Sequence, residues 1–240
     1  MKIQYASDLH LEFKENSSYL KQYPLTVSGE ILVLAGDIGY IGDDNYSKHP
    51  FWDWASENYK QVIVIPGNHE FYKMFDIDKL HNGWSLQIRE NISCCYNVVV
   101  PLNDETDLIA TTLWSHIQLK DAFQTESAVS DFRRIRCGSE PLDWVRFNEE
   151  HYRCFRFFGT ECKPKQGKAH YSRYSSCSIV RIGRSRIQRQ SVKWRIYGRI
   201  GNLHCRKPDR ILDLWTLPPQ HKQSNRKYQM CQQPIGICFR

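Results

Sequence analysis

Three short segments carry groups that can hold metal ions: Asp8-Leu9-His10, Gly36-Asp37-Ile38 and Gly67-Asn68-His69-Glu70. Together they offer two carboxylates, Asp8 and Asp37, two imidazoles, His10 and His69, and the carboxamide of Asn68. Such ligands suit divalent ions of the Mn, Fe or Zn kind. An aspartate can bridge two ions roughly 3.5–4 Å apart, and a two-metal site lowers the pKa of a bridging water and clamps an in-line displacement at phosphorus. Gly36 and Gly67, each one residue before a ligand, allow the sharp turns that aim these side chains into a cleft. Taken singly, an Asp-x-His or a Gly-Asp is ordinary turn chemistry. All three motifs, in this order and each closing a strand, are hard to explain that way.

The positioning elements are legible from their patterns. Lys2 to Ala6 alternates like a short strand, and Ile31-Leu32-Val33-Leu34-Ala35 and Val62-Ile63-Val64-Ile65 are continuous apolar runs, as in strands buried on both faces. Ile92 to Val100 and Leu108 to Leu113 read as two further strands, and Phe51 to Tyr59 as a short helix. From Leu142 onward, Trp144, Phe147, His151, Phe155 and Phe158 recur at spacings of three or four, an amphipathic helix with His151 packed on its apolar face. Trp52 and Trp54 read as packing residues that seat the first helix on the sheet, and Cys94-Cys95 as half core, half edge. Strands alternating with helices argue for a layered α/β fold. Asp8 to Asp37 spans 29 residues and Asp37 to Asn68 spans 31, about one strand-helix-strand unit each. Parallel strands deliver their carboxyl ends to one edge of a sheet, where ligands bind. After Phe158 the pattern fails: 181–189 reads Arg-Ile-Gly-Arg-Ser-Arg-Ile-Gln-Arg, with no clear period.

In these motifs the chain resembles the calcineurin-like metallophosphoesterase family, which reads Asp-x-His, then Gly-Asp, then Gly-Asn-His-(Asp/Glu). The resemblance covers residues 1–158 and implies a four-layer αββα sandwich with a dinuclear site at the strand ends. It implies that Asp8 and His10 hold the first metal, that Asp37 bridges and that Asn68 holds the second. His69 would contact the phosphoryl group and help to protonate the leaving oxygen of a phosphomonoester or phosphodiester. Trp114-Ser115 and Asp131-Phe132-Arg133 resemble features of a subgroup of small bacterial phosphoesterases, without an assigned chemical role.

The family also has three late histidines, one after a strand and two as Gly-His-x-His, and neither motif is present. The nearest look-alike, Ile196-Tyr197-Gly198-Arg199-Ile200-Gly201, has Arg and Gly where the imidazoles belong, and His170, His204 and His221 stand isolated. A reading-frame change near residues 158–165 accounts for this. Permitted codons for 169–177, read one base later, spell His-Ile-Ile-Val-Val-Thr-His-His; at the same offset those for 210–221 spell Glu-Tyr-Trp-Ile-Tyr-Gly-His-Ser-His-Arg-Asn. Four of seven family ligands survive, so the expectation is weak metal binding and impaired hydrolysis. Residues 159–240 are then a basic, atypical segment, poorly ordered, leaving the C-terminal part of the fold incomplete or irregular.

Charge agrees with such a break. Residues 1–158 hold 15 Lys and Arg against 23 Asp and Glu, a net −8, whereas 159–240 hold 18 against 3, a net +15. The rival reading is a nucleic-acid-binding protein or nuclease, with Trp194, Tyr197, Trp215 and Tyr228 stacking on bases among the basic residues. No recognisable nucleic-acid motif accompanies them. The late cysteines lack the tight spacing of structural zinc sites. An apolar fraction of 41% excludes wholesale disorder, no run of 18 apolar residues suggests a membrane span, and Met1-Lys2-Ile3-Gln4 shows no signal-peptide pattern. Nine cysteines in such a chain read as free thiols of a cytoplasmic protein.

Overall fold

The apolar runs do become the centre of a sheet. In a computed structural model, which describes residues 1–104 and 106–161 and the backbone of 171–175, 200–204 and 235–239, β1 (Lys2–Ala6), β2 (Ile31–Ala35) and β3 (Gln61–Ile65) lie parallel and adjacent. With strands numbered in chain order, β6 (Ile92–Tyr96) continues the parallel set and β5 (Trp84–Arg89) closes that edge antiparallel. At the other edge β12 (Ile200–His204) pairs antiparallel with β1, giving the order β12-β1-β2-β3-β6-β5. A second, antiparallel sheet runs β11 (Tyr171–Ser175), β13 (Ile235–Phe239), β8 (Thr106–Thr111), β7 (Val98–Asn103). A small sheet joins β4 (Phe75–Asp76), β9 (Ile135–Cys137) and β10 (Glu140–Pro141).

Side-chain alternation decides which face meets which layer. Ile31, Val33, Ile63 and Ile65 point between the sheets and pack on Leu108 and Ala110. Leu32, Leu34, Val62 and Val64 point the other way, onto Phe51, Trp52 and Ala55 of α2 (Pro50–Asn58). Trp52 is fully buried, and its indole N–H donates to the Tyr46 carbonyl. On the far face of the second sheet, Ile109 meets Phe147, Cys154 and Phe158 of α5 (Trp144–Glu161). The layers are therefore helix, sheet, sheet, helix. Polar α1 (Lys14–Gln22), which buries no residue, has no apolar stripe to announce it, and α3 (Ala122–Ala128) and α4 (Asp131–Arg134) are short connections.

Some expectations change. The run from Ile92 to Val100 is two strands in different sheets, because Asn97 takes φ 51° and its side chain is bound to Thr111 and Asn82. Cys94 and Cys95 are both buried, Cys94 toward the helices and Cys95 between the sheets, so neither is an edge residue. On α5 the buried stripe runs Phe147, Glu150, Cys154, Phe158, which turns Phe155 outward at 55% exposure. His151 is half-buried and bonds the Trp114 carbonyl through Nδ1. After Phe158 the helix continues to Glu161, and three strands extend the two sheets where the sequence shows no strand period. Main-chain bonding to an open edge needs no side-chain alternation. The basic run 181–189, His170, His221, Trp194, Tyr197, Trp215, Tyr228 and the cysteines at 162, 177, 205 and 231 lie outside the described residues. Among the described residues no helix is long and apolar enough to cross a membrane.

Candidate metal centre

The carboxyl ends of β1, β2 and β3 open at one edge, and the loops that follow interlock. Asp8 N–H donates to the Gly36 carbonyl (3.0 Å), His10 N–H to Asp37 (3.0 Å) and Leu11 N–H to Ile38 (2.7 Å). Asp8, His10 and Asp37 all adopt left-handed backbone, at φ 59°, 46° and 58°. For residues with a Cβ this costs about 1–2 kcal/mol each, and such strain gathers at functional sites. Its effect here is to turn three side chains inward: one ligand atom from each of Asp8, His10 and Asp37 lies within 4.8 Å of the other two. Gly67 permits the closest approach, since a Cβ there would sit 2.2 Å from Asp37 Oδ1. The next loop docks on the same carboxylate, with His69 N–H donating to Asp37 Oδ1 at 3.2 Å.

Glu12 organises the imidazoles. Its Oε1 lies 3.0 Å from Nδ1 of His10 and 3.2 Å from Nδ1 of His69. Burial raises the Glu12 carboxyl, but the bonds from His10 and His69 outweigh it and hold the group down at about 2. An ionised carboxylate only accepts, so the Nδ1 atom of each ring carries a proton and donates it to Glu12. His10 and His69 stand edge to face at 4.5 Å, and His10, Glu12 and His69 form a second group with ligand atoms within 4.8 Å of one another. Burial lowers the His69 pKa, against the pull of Glu12.

Two further acids hold the frame. Fully buried Glu70 accepts the backbone N–H groups of Asp37, Ile38, Gly39 and Gly67, tying the loops after β2 and β3 together. Burial pushes its carboxyl up to about 7 against those four donors. Asp131 accepts from Asn68 Nδ2 (2.8 Å) and from the Tyr72 hydroxyl (2.7 Å). Because a carboxylate cannot donate, this contact turns the Asn68 amide nitrogen toward Asp131 and its oxygen away. Burial, then the charges of Glu70 and Asp8, push the Asp37 carboxyl well above its usual range.

The sequence profile for calcineurin-like phosphoesterases matches residues 1–172. The chain belongs to the calcineurin-like phosphoesterase family. An uncharacterized protein of Acanthamoeba polyphaga mimivirus is 27% identical over 148 residues, 56% of this chain and 51% of its own length. The chain thus spans about half the length of the curated relative it matches. Among solved structures, the phosphopantetheinyl hydrolase PptH from Mycobacterium tuberculosis aligns with a TM-score of 0.43 and 15% identity, over 70% of this chain and 65% of that one.

The donor set of this calcineurin-like phosphoesterase fits a divalent cation. Candidate carboxylate and imidazole ligands converge from three strand ends, and Glu12 Oε2 is buried beside them with no hydrogen-bond partner among the described residues. The structure brings Asp8, His10 and Asp37 together, with His69 beside His10. Asn68 sits fully buried next to His69, on Asp131 and Tyr72. The motifs do not reveal Glu12, the orienting contact of Asp131 or the framing role of Glu70. Glu12 had a faint signal, an acid two residues after the candidate ligand His10 in one loop. Asp131 stood out only within Asp131-Phe132-Arg133, without a role, because the amide it orients lies 63 residues away.

Proposed function

We propose that this chain is a metal-dependent hydrolase of phosphomonoesters or phosphodiesters. The observation carrying the reading is the convergence of Asp8, His10 and Asp37, on strained backbone, within 4.8 Å of one another. Asp8, His10, Asp37 and Asn68 would hold two divalent ions, of the Mn, Fe or Zn kind. Such ions, when bound, supply Lewis acidity to a phosphoryl oxygen and acidify water. The chain's own residues do the rest. Glu12 fixes the tautomer of His10 through Nδ1, which leaves Nε2 to ligate, and Asp131 with Tyr72 orients Asn68. His69, anchored through Nδ1 on Glu12, carries a proton at Nε2 toward the leaving oxygen. Glu70 keeps the loops closed on one another.

In this reading the chain is impaired by a frame change near residues 158–165, which removes three late histidine ligands. Losing supporting groups alone costs metal sites about 10–100-fold in affinity, so losing direct ligands costs more. We place the protein in the cytoplasm, supported by the free thiols of Cys94, Cys95, Cys137 and Cys154. The second reading, nucleic-acid binding or nuclease action by the segment after 158, rests on its net charge of +15.

The test compares the full chain, Asp37→Asn and a version translated one base later from the frame change, using p-nitrophenyl phosphate and bis-p-nitrophenyl phosphate with Mn2+. Mn2+ should raise the melting temperature of the parent but not of Asp37→Asn. Turnover should be weak in the parent and much stronger in the frame-restored chain. A parent indifferent to Mn2+ refutes the metal site, and near-normal turnover by the parent refutes the impairment. A salt-dependent mobility shift with single-stranded RNA, with no metal effect, would favour the second reading.

A further inference from the structure

Beside the metal centre stands a cation that the mechanism above does not use. Arg134 closes α4, and its carbonyl accepts the Met74 N–H at 2.8 Å, which fixes its backbone to the loop that follows His69. Its guanidinium carbon lies 4.4 Å from the Tyr72 ring centroid and 5.6 Å from that of Tyr40. Nη2 reaches the Tyr40 hydroxyl at 3.5 Å. Those rings also flank His69: Tyr72 is 4.4 Å from its imidazole and Tyr40 6.1 Å. Arg134 is thus two contacts of 4.4 Å from the proposed proton carrier, with one aromatic ring common to both.

Its environment differs from that of Arg89, Arg146 and Arg153. Arg89 pairs with Asp53, Arg146 with Asp78 and Glu149, and Arg153 with Glu150. Among the described residues no carboxylate pairs with Arg134, whose side chain is exposed. The aromatic platform holds the guanidinium by its face. That leaves the edge N–H groups, which make a two-pronged match to an oxyanion, available at the rim. Lys73, paired with Asp43, adds a second positive charge 5.7 Å from the Tyr40 ring.

We propose that Arg134, seated on Tyr40 and Tyr72, binds a second anionic group of the substrate, so that the preferred phosphoester carries another phosphate or a carboxylate beyond the reacting phosphoryl group. This rests on the phosphoesterase reading, because the reacting phosphoryl group is placed at Asp8, His10 and Asp37. An arginine there selects substrates by charge and length without touching the bond that breaks.

Calorimetric titration of the full chain in excess Mn2+ with three non-hydrolysable probes tests it: ethylphosphonate, 3-phosphonopropionate and propane-1,3-bisphosphonate. The parent should bind at least one of the two doubly anionic probes about tenfold or more tightly than ethylphosphonate. Preference for the bisphosphonate assigns a second phosphate, and preference for the phosphonopropionate assigns a carboxylate. Arg134→Ala should abolish the preference and leave ethylphosphonate affinity and the Mn2+-induced melting shift unchanged. Arg134→Lys, which keeps the charge and loses the fork, should retain only part of it. Equal binding of all three probes by the parent, or an equal loss for all three in Arg134→Ala, overturns this inference and leaves the phosphoesterase reading standing. Failure of the Mn2+-loaded parent to bind any phosphonate overturns both.

Discussion

Adding one methyl group at Gly67 should have the opposite effect to adding one at Gly159. An alanine Cβ at position 67 would stand 2.2 Å from Asp37 Oδ1 and 2.9 Å from the Asp37 backbone nitrogen. The first contact can be relieved only by swinging the Asp37 carboxylate away, which breaks its bond from His69 N–H. The second cannot be relieved by any rotamer, since the Asp37 N–H is held by Glu70. Overpacking costs about 1–3 kcal/mol, and loss of a hydrogen bond to a charged acceptor about 1.5–3 kcal/mol. The opposing gain from a stiffer unfolded chain is only about 0.4–1 kcal/mol. Gly67→Ala should therefore destabilise by about 2–5 kcal/mol and weaken the melting shift produced by Mn2+. At Gly159, inside α5, nothing lies within 4 Å of the added Cβ. The helical preference for alanine should there stabilise by about 0.5–1 kcal/mol. Equilibrium urea unfolding of the full chain and both variants, with and without Mn2+, measures all of this. A Gly67→Ala protein as stable as the parent and with its full Mn2+ response would refute the close packing of the two loops.

Asp131→Ala should lower Mn2+ affinity about 10–100-fold through misorientation of Asn68, read from melting shifts against Mn2+ concentration; lost stability with unchanged affinity would make Asp131 structural only. Trp52→Phe deletes the indole N–H bond to the Tyr46 carbonyl in a fully buried position, and should cost about 2–4 kcal/mol by urea unfolding. Burial raises the Glu150 carboxyl above its usual 4.5, against the Tyr96 hydrogen bond and the positive charges of Arg153 and Arg146, with Cys154 facing Tyr96 and Asp78 nearby. A raised carboxyl contributes stability that is complete below pH 4.5 and is lost as pH rises through the folded value. Glu150→Gln should remove that decline, so the gap between variant and parent should widen in favour of the variant from pH 4.5 upward; a constant gap would disprove it.

How far the sequence alone carries depends on distance along the chain. The strands Ile31–Ala35 and Gln61–Ile65 were legible because burial on both faces writes an unbroken apolar run, and the three candidate motifs because each follows a strand. The division at Asn97 was not legible, since two consecutive strands in different sheets look like one until a left-handed residue separates them. The polar helix Lys14–Gln22 buries nothing and so leaves no period to find.

The resemblance of the three motifs pointed to the family, the apolar runs located the strand ends that bear Asp8, His10, Asp37, Asn68 and His69, and composition by itself determined the abrupt change in charge after residue 158. Only the tertiary structure decided that Glu12 sets the tautomer of two histidines, that Glu70 gathers four backbone donors, that Asp131 turns Asn68, and that Arg134 rests on Tyr72 next to His69. Ligand motifs and apolar runs are local, so spacing along the chain records them. The charges that frame these motifs are positioned by loops packing against one another, over separations of up to 63 residues, and no periodicity in the sequence encodes a contact of that range.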